Sequence, residues 1–575
     1  MDSATTKQSE FYNNTQSSVV SLLNFHASHL SLKNHVVVPK VLIYDEPGMV
    51  CVSAFSMNML LEKGGVCLFY PINDSTRLSK SMPTFPAVYL CLPTQANIKR
   101  ILDDIQKDRY AYYFINFTRP LTDATLQSFK ASLAELPVEK QGRINGVHST
   151  NFTYMIVDSR NFVTLAGTEL GHKVATAPTY FTHLTYLYPP RDAPPSLEAE
   201  DYIRDTVSDL SGALLAHRMR NPVVVYQQVT GAEKVAKQLC KRQEVEDDHD
   251  SLLIIIDRQT DFGALVAHSL TYAALIHSVW GIHRNTVKTD VGGDGAKTTN
   301  LFPNDEFWRS FSGDDLEMIS NTTSEQITEL IALENRLKDP DSLTKVDVSD
   351  ALTQMRETIA KKATVTTHVT LASNTTTKMK DMKTAPQRYI SRDAKLTLPP
   401  APEECGTAGD YVRAAVSAVL MPRGPDSVGD YIATLDKRWP SNEKRTGHVA
   451  ALNAAVEFKK AVVVHNNKKL LDRALDVIKK KSDWPIPATV KNLVTADRIP
   501  EGWATMDLSG EALTIAAPQL PKGRVMLFVV GGGSYHEQRA LERHFAQLNI
   551  DFVYGSTGIP TPDEVLSAFA RWNAK

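Results

Sequence analysis

Hydrophobic and polar positions follow two alternating rhythms along the first part of the chain. The apolar runs VVVPKVLIYDEPG from Val36, VCLFYPI from Val66, AVYLCLP from Ala87 and YAYYFINFT from Tyr110 are short and rich in β-branched and aromatic residues. They predict buried parallel strands. Between them lie amphipathic patterns such as TQANIKRILDDIQ from Thr94, whose Ile98, Ile101, Leu102 and Ile105 fall at i, i+3, i+4 and i+7 on one helix face. Strands alternating with helices predict a doubly wound α/β domain over residues 1–165.

The stretch YPPRDAPPSLE, Tyr188 to Glu198, predicts a connector, because its prolines remove amide donors and resist both helix and sheet. A second α/β series follows: a helix near Ala199 to His217, the strand PVVVYQQV, a helix from Gly231, the acidic turn EVEDDHD and the strand LLIIIDRQTDF. From Ala264 to about Leu493 helical patterns and polar loops replace strands, until RVMLFVVGGG, Arg524 to Gly533, restarts the strand-helix rhythm. The last stretch is too small to bury a core alone, so it is expected to complete the second α/β domain. The expected architecture is an α/β multidomain chain: domain 1 over 1–165, a discontinuous domain 2 over 166–262 and 518–575, and a mainly helical domain 3 over 263–517 inserted into it. Domain 3 divides into 3a, about 263–395 with a helical hairpin, and 3b, about 396–517.

Composition narrows the functional classes. A length of 575 residues exceeds what one core supports, and 42% hydrophobic with 22% charged residues is an ordinary globular balance. Lys and Arg number 63 against 65 Asp and Glu, a net charge of −2, so no global field favours nucleic acid or anionic lipid. Cys51, Cys67, Cys91, Cys240 and Cys405 form no CxxC pair and read as thiols in a reducing compartment. The start MDSATTKQSEFYNN lacks a secretory pattern and no apolar run reaches a membrane span, so a cytosolic protein is expected. The Asn-x-Ser/Thr triplets at Asn116, Asn151 and Asn374 are then chance matches.

Candidate chemistry meets a structural reading at each motif. The loop GGGSYHE, with Gly531, Gly532 and Gly533, lies between a strand and a helix, where amides can cradle a phosphate. His536 stands where GxGxxG needs glycine, and Ser534 with Glu537 predicts a capping box that uses those amides itself. In GGDGAKT, Gly292 to Thr298, Ala296 replaces the glycine a phosphate loop needs before Lys297, so a flexible loop is expected. Asp257 and Asp261 are either a carboxylate pair for Mg²⁺ or, with Arg258, structural pins at a strand end; DxxxD fits no metal motif and favours the second. Neither GGSYH nor YGSTG satisfies GxSxG, and His26 and His29 lack a third zinc ligand. No catalytic constellation emerges.

Two features point to helix binding. Val348, Leu352, Met355 and Ile359 recur at i, i+4, i+7 and i+11, a seam suited to a partner helix or to an ordinary core stripe. Ala363 to Thr377 then holds seven threonines in fifteen residues, which lowers helix propensity and would let the segment extend or unwind.

Several segments together resemble one family. LLIIIDRQTDF followed by HSLTYAALIHSVWGI, and VMLFVVGGGSYHE followed by FVYGSTGI, resemble the signatures of SM proteins, the Sec/Munc-like regulators of SNARE-mediated membrane fusion. KVLIYDEPG, LPTQANIKRIL and YYFINFT are similar to the first domain of that family. The triple glycine with Ser-Tyr-His-Glu, the His268-x-x-Thr271-Tyr272 pattern and YGST resemble the Sly-type branch, which acts between endoplasmic reticulum and Golgi, more than the exocytic or vacuolar branches.

The resemblance implies an arch of three domains without enzymatic activity or cofactor, in which Asp257, Arg258, Asp261, Gly531, Gly532, Gly533, Ser534 and Glu537 are scaffold. It implies a syntaxin-like (Qa) SNARE and the assembling SNARE complex as partners, with room for a tethering complex, no nucleic acid, and a monomer peripherally associated with Golgi and ER membranes. In the first domain, Phe117, Leu126, Phe129 and Val147 match the pocket for a SNARE amino-terminal peptide. In the helical domain, Leu352, Met355, Ile359, His368 and Val369 match the hairpin that templates SNARE helices. Arg356 departs from the pattern, since many members place a proline there, and a more continuous helix is expected. The region 407–517 matches only loosely and contributes no site residue. The alternatives are an SM protein of the exocytic or vacuolar branch and, more remotely, an α/β enzyme taking a nucleotide or phosphate at GGGSYHE.

Overall fold

The computed structural model describes residues 9–26, 37–150, 152–166, 180–189, 196–241, 249–266, 269, 271–290, 297–338, 348–382, 405–420, 424–463 and 485–572. Most of the proline-rich connector, the acidic turn, His29, His268, most of GGDGAKT and the expected 3a/3b boundary lie outside the described residues.

Helix α1 (Glu10–Leu23) precedes a five-stranded parallel sheet ordered β2-β1-β3-β4-β5. Its elements run β1 (Lys40–Tyr44), α2 (Glu46–Val52), β2 (Val66–Pro71), β3 (Ala87–Cys91), α3 (Gln95–Gln106), β4 (Tyr113–Phe117), α4 (Asp123–Ala134) and β5 (Ile144–Ser149). The four apolar runs are strands β1–β4; β1, β3 and β4 are buried as expected, but β2 is an edge strand in which only Val66 is buried. Helix α3 starts where Thr94 accepts the Asn97 amide at 3.2 Å, and it buries Ile98, Ile101 and Ile105 against the sheet.

The chain then enters a second sheet through β6 (Tyr154–Asp158) and β7 (Asn161–Thr164), followed by α5 (Leu197–Ala216), β8 (Val223–Gln227) and β9 (Ser251–Asp257). The mostly helical region comes next, with α6 (Tyr272–Trp280), β10 (Thr286–Thr289), β11 (Lys297–Asn300), α7 (Leu316–Lys338), α8 (Val348–Met382), α9 (Ala408–Leu420), α10 (Arg445–Val463) and α11 (Pro485–Thr495). The return comprises β12 (Trp503–Met506), β13 (Arg524–Val530), α12 (Tyr535–Gln547), β14 (Asp551–Ser556) and α13 (Pro562–Trp572). The second sheet is ordered β12-β8-β9-β13-β14-β7-β6, so the tail does complete the sheet that the helical region interrupts. Central β9 is buried along its whole length and β13 along all but its first residue, which is why both read as unbroken apolar runs.

The sheets divide at places other than the expected 165/166 and 517/518 boundaries. Strand β7 pairs parallel with β14, Asn161 beside Tyr554, and β12 pairs antiparallel with β8, Trp503 beside Gln227. Helix α11 places Ile486, Val490, Leu493 and Val494 in one core with Leu252, Ile254, Val525 and Leu527. The second sheet therefore begins at Tyr154 and its return begins before Trp503. The cause is non-local: β6 and β7 follow the first series in sequence but find their partner almost four hundred residues later. The small β10–β11 hairpin also escaped the pattern, because Val287 is the only apolar residue in its two strands.

Candidate functional site

In the first sheet, Phe117 ends β4 and Phe129 sits on α4; both are buried, their rings 5.7 Å apart in an edge-on arrangement. Strand β5 is an edge, and its Val147 registers with Ile115 of β4, on the same face as Phe117. Val147 is 39% exposed and Leu126 is half-buried. The four residues matched to a peptide pocket thus share one sheet face but divide in role. Phe117 and Phe129 are core beneath the surface, whereas Leu126 and Val147 are the two that an incoming side chain reaches.

The hairpin residues divide as sharply. Helix α8 is continuous from Val348 to Met382 through the exposed Arg356, and it packs along α7, with Lys362 2.8 Å from Glu334. Its threonines do not break it: Thr358, Thr366, Thr367, Thr370, Thr375 and Thr376 each donate to the carbonyl four residues earlier. Val365, His368, Leu371, Ala372 and Thr375 form the buried root of α8. There the His368 ring stacks on Phe307 at 4.6 Å, its Nε2 lies 3.1 Å from Asp305, and its carbonyl accepts from Tyr272 Oη at 3.1 Å. Trp280 Nε1 donates to Thr375 at 3.1 Å and fixes the same root to α6.

At the tip, Leu352 is 54% exposed, Ile359 is 48% exposed and Met355 is half-buried. Met318 and Ile331 on α7 are exposed as well. Leu352, Met355 and Ile359 of the seam therefore form a surface and not a core stripe; the Val348 side chain lies outside the described residues. His368, matched to the template, is a correction: its ring is spent on the root and cannot touch a partner helix here. Val369 is half-buried and packs against the same core cluster.

The motif at the strand ends of the second sheet is closed upon itself. Arg258 donates to Glu537 at 2.9 and 2.6 Å, to the Gly532 carbonyl at 2.7 Å and to the Asp261 carbonyl at 2.9 Å, with both charged side chains fully buried. Asp257 accepts from Tyr188 Oη at 2.7 Å, from the Gln259 amide at 2.9 Å and from the Ala232 amide at 3.1 Å. Asp261 accepts the Ala264 amide at 3.1 Å. Burial raises both aspartates, Asp261 to about 7, while Arg258 outweighs burial and holds Glu537 below its ordinary value.

The three glycines let these groups approach. Gly531 has φ 99° and Gly532 φ 107°; a side chain on Gly531 would collide with the Tyr188 hydroxyl, and one on Gly533 would come within 2.7 Å of Ser556 and Tyr554. The expected capping box is not formed: Ser534 holds the N-cap position of α12 without accepting an amide, its own amide donates to Tyr554 Oη at 3.2 Å, and Glu537 is turned to Arg258. Tyr188, Arg258 and Glu537 thus occupy the crevice where open α/β sheets usually take ligands. Among the described residues no group of three or more His, Cys, Asp or Glu side chains could hold a metal ion, and no helix is long and apolar enough to cross a membrane.

Residues 40–385 and 467–568 match the model of the Sec1 family. The chain belongs to the Sec1 family. Human Sec1 family domain-containing protein 1 is 22% identical over 620 residues, covering 93% of this chain and 92% of its own. The sly1 protein of Schizosaccharomyces pombe is 26% identical over 307 residues, covering 50% of this chain and 44% of its own. Among solved structures, Sly1p crystallised with an N-terminal peptide of Sed5p has a TM-score of 0.73 at 18% identity, covering 98% of this chain and 99% of its own. Vps45 in complex with the Qa SNARE Tlg2 has a TM-score of 0.72 at 15% identity, with 98% and 99% covered. The Sec1 fold therefore extends over nearly the whole of this chain.

Two long-range contacts of this Sec1-family chain carried no sequence signal. Arg119, just past β4, reaches Asp205 at 2.6 Å and both oxygens of Asp209 at 3.1 and 3.2 Å on α5, joining the two sheets. His26 and His148 stack with ring centroids 3.8 Å apart behind β5. Each joins residues more than eighty positions apart, and neither residue type declares such a partner in advance.

Proposed function

We propose that this chain is a regulator of SNARE-mediated vesicle fusion that binds a syntaxin-like Qa SNARE and aligns SNARE helices for assembly, in transport between endoplasmic reticulum and Golgi. The observation that carries this reading is the family match over 40–385 and 467–568, joined to a fold shared end to end with Sly1p held in complex with a Sed5p peptide. Two accessible apolar surfaces support it: Leu126 with Val147 for an amino-terminal peptide, and Leu352, Met355 and Ile359 for a SNARE helix. A closed crevice at GGGSYHE favours assembly by alignment over chemistry. Two contacts on one scaffold raise the effective concentration of the second, so neither need be strong alone. The chain acts at the cytoplasmic face of Golgi and ER membranes, held there through its SNARE.

The test is calorimetric titration with amino-terminal peptides of Sed5p, Tlg2 and a plasma-membrane syntaxin. Saturable binding of the Sed5p peptide alone, abolished by Leu126→Glu in a folded variant, is expected. Preference for the Tlg2 or plasma-membrane peptide would move the chain to another branch, and no binding at all would remove the first-domain surface from the mechanism.

A further inference from the structure

Helix α1 is bolted at both ends. Near its start, Phe11 packs on Tyr154 and Phe162 of the second sheet, and Asn14 donates to the Ala216 carbonyl at 2.9 Å. Past its end, the chain turns through two non-glycine residues in the left-handed region, Phe25 at φ 61° and His26 at φ 59°. That turn lies on the first sheet. The Phe25 ring stacks on Phe114 at 3.9 Å, Asn24 donates to the Lys63 carbonyl at 2.8 Å, and the His26 ring stacks on His148 of β5.

His148 neighbours Val147 in sequence and points to the opposite face of β5, beside Asn116. The peptide face and the histidine stack are therefore front and back of one edge strand. Asn116 donates its amide to the Tyr89 carbonyl at 3.2 Å, which leaves its oxygen to accept from His26 Nε2 at 2.6 Å. In this pair the two rings lie 3.8 Å apart with their planes tilted by 33°. The charged or titratable groups around it are His26 on the turn, His148 on β5 and, from β1, the buried Lys40 ammonium, 4.7 Å from the centre of the Phe25 ring with Cys67 beyond. Asn116 is the neutral neighbour from β4.

We propose that the Asn24–His26 turn is a proton-released latch on the back of β5, closed while His148 is neutral against the His26 ring and opened when His148 takes up a proton. A charge on His148 loses hydration where burial and the His26 ring, 3.8 Å away, press on it, and no carboxylate among the described residues pairs with it. Burial and His26 already hold His148 below its ordinary value of 6.5, so the closed state sheds protons and the open state gains them as pH falls. Released, β5 keeps its ladder to β4 and the packing of Ile144 on the first core, but its back loses the turn that supports the strand beneath the peptide face. This rests on the reading of Leu126 and Val147 as the peptide surface.

Hydrogen exchange of the full chain at pH 7.5 and 5.5, corrected for intrinsic rates, tests the latch without any ligand. Exchange over 144–149 is expected to rise about tenfold at pH 5.5 in the natural sequence and to stay flat in His148→Phe, with His26→Phe as the second variant. The Sed5p peptide should bind more weakly at pH 5.5 in the natural sequence only. Equal corrected exchange at both pH values, or a rise that persists in both variants, overturns the latch. A peptide that binds at neither pH ends the pocket reading, and the exchange data then decide the latch alone.

Discussion

Arg119 and Asp209 meet through both carboxylate oxygens, at 3.1 and 3.2 Å, and this pair is one joint between the two α/β sheets. Asp209 also accepts from the Thr153 hydroxyl and, at 2.8 Å, from the Leu165 amide, so one carboxylate ties β4, the entry to β6, the end of β7 and α5 together. Phe117 of the proposed peptide surface stands two residues before Arg119.

Removing the cation while leaving the carboxylates is the severe change here. Arg119→Met strands Asp209 in a buried site with Asp205 beside it, and a loss of about 3–5 kcal/mol in urea unfolding is expected. The loss should be smaller at pH 5 than at pH 7.5. Burial already raises Asp209 to about 6, and without Arg119 it rises further. A raised carboxyl holds its proton in the folded state where the unfolded chain has released it, so falling pH favours the folded variant. Equal loss at both pH values would show that Asp209 is not the stranded group.

The Arg258–Glu537 pair allows a cleaner separation of charge from shape. Both side chains are fully buried, and Arg258→Met or Glu537→Leu alone leaves an uncompensated charge, with a loss of about 3–5 kcal/mol. The double variant removes both charges and should recover most of that loss. A double-mutant cycle by urea unfolding measures the coupling; additive losses would mean that the loop is held by the Arg258 bonds to the Gly532 and Asp261 carbonyls instead.

His217 predicts a defined acid sensitivity. It is buried against Phe11, and burial, with Arg524 adding, pushes its pKa from 6.5 down to about 3. A depressed imidazole stays neutral in the folded state while the unfolded chain takes up a proton below about 6.5, so its contribution is complete above that pH and shrinks as pH falls toward 3. Between pH 7.5 and 5 this amounts to about 2 kcal/mol. His217→Phe should lower stability at pH 7.5 by whatever packing it disturbs, yet lose about 2 kcal/mol less than the natural sequence on going to pH 5. Parallel pH profiles would mean that His217 is protonated in the fold.

What the sequence made legible follows from the range of each interaction. The core strands β1, β3, β4, β9 and β13 are buried, almost without exception, on both faces, so their apolar runs announce themselves, and α3 shows its core stripe because periodicity is local. Sheet membership is not local: the YMIVD of β6 looks like one more strand of the first series, and only its β7 neighbour's pairing with β14 assigns it elsewhere. Ser534 and Glu537 have the spacing of a capping box, but an arginine 279 positions away claims the glutamate. Likewise, family likeness placed His368 on a binding hairpin, whereas Phe307, Asp305 and Tyr272 decide that its ring faces inward. The exposed tip was legible only as one of two readings, because Leu352, Met355 and Ile359 have the same spacing whether a core or a partner covers them.

That division along α8 gives the sharpest test of the proposed template. Ile359→Asp places a carboxylate on an exposed position of the tip, so stability should change by no more than about 0.5 kcal/mol. SNARE assembly promoted by the protein should nevertheless fall, because a charge in a helix-binding seam repels an apolar face, while binding of the Sed5p peptide stays as it was. His368→Ala instead removes the stack on Phe307 and the bond to Asp305 at the buried root, and a loss of about 2–4 kcal/mol is expected. Val369→Asp would mix the two effects, since Val369 is half-buried against the root. The informative comparison is therefore Ile359→Asp against His368→Ala, read by thermal unfolding and by the rate of SNARE-complex formation. If Ile359→Asp leaves that rate unchanged in a folded protein, the seam at the tip does not carry the SNARE helix, and the exposed Met318 and Ile331 of α7 become the surface to alter next.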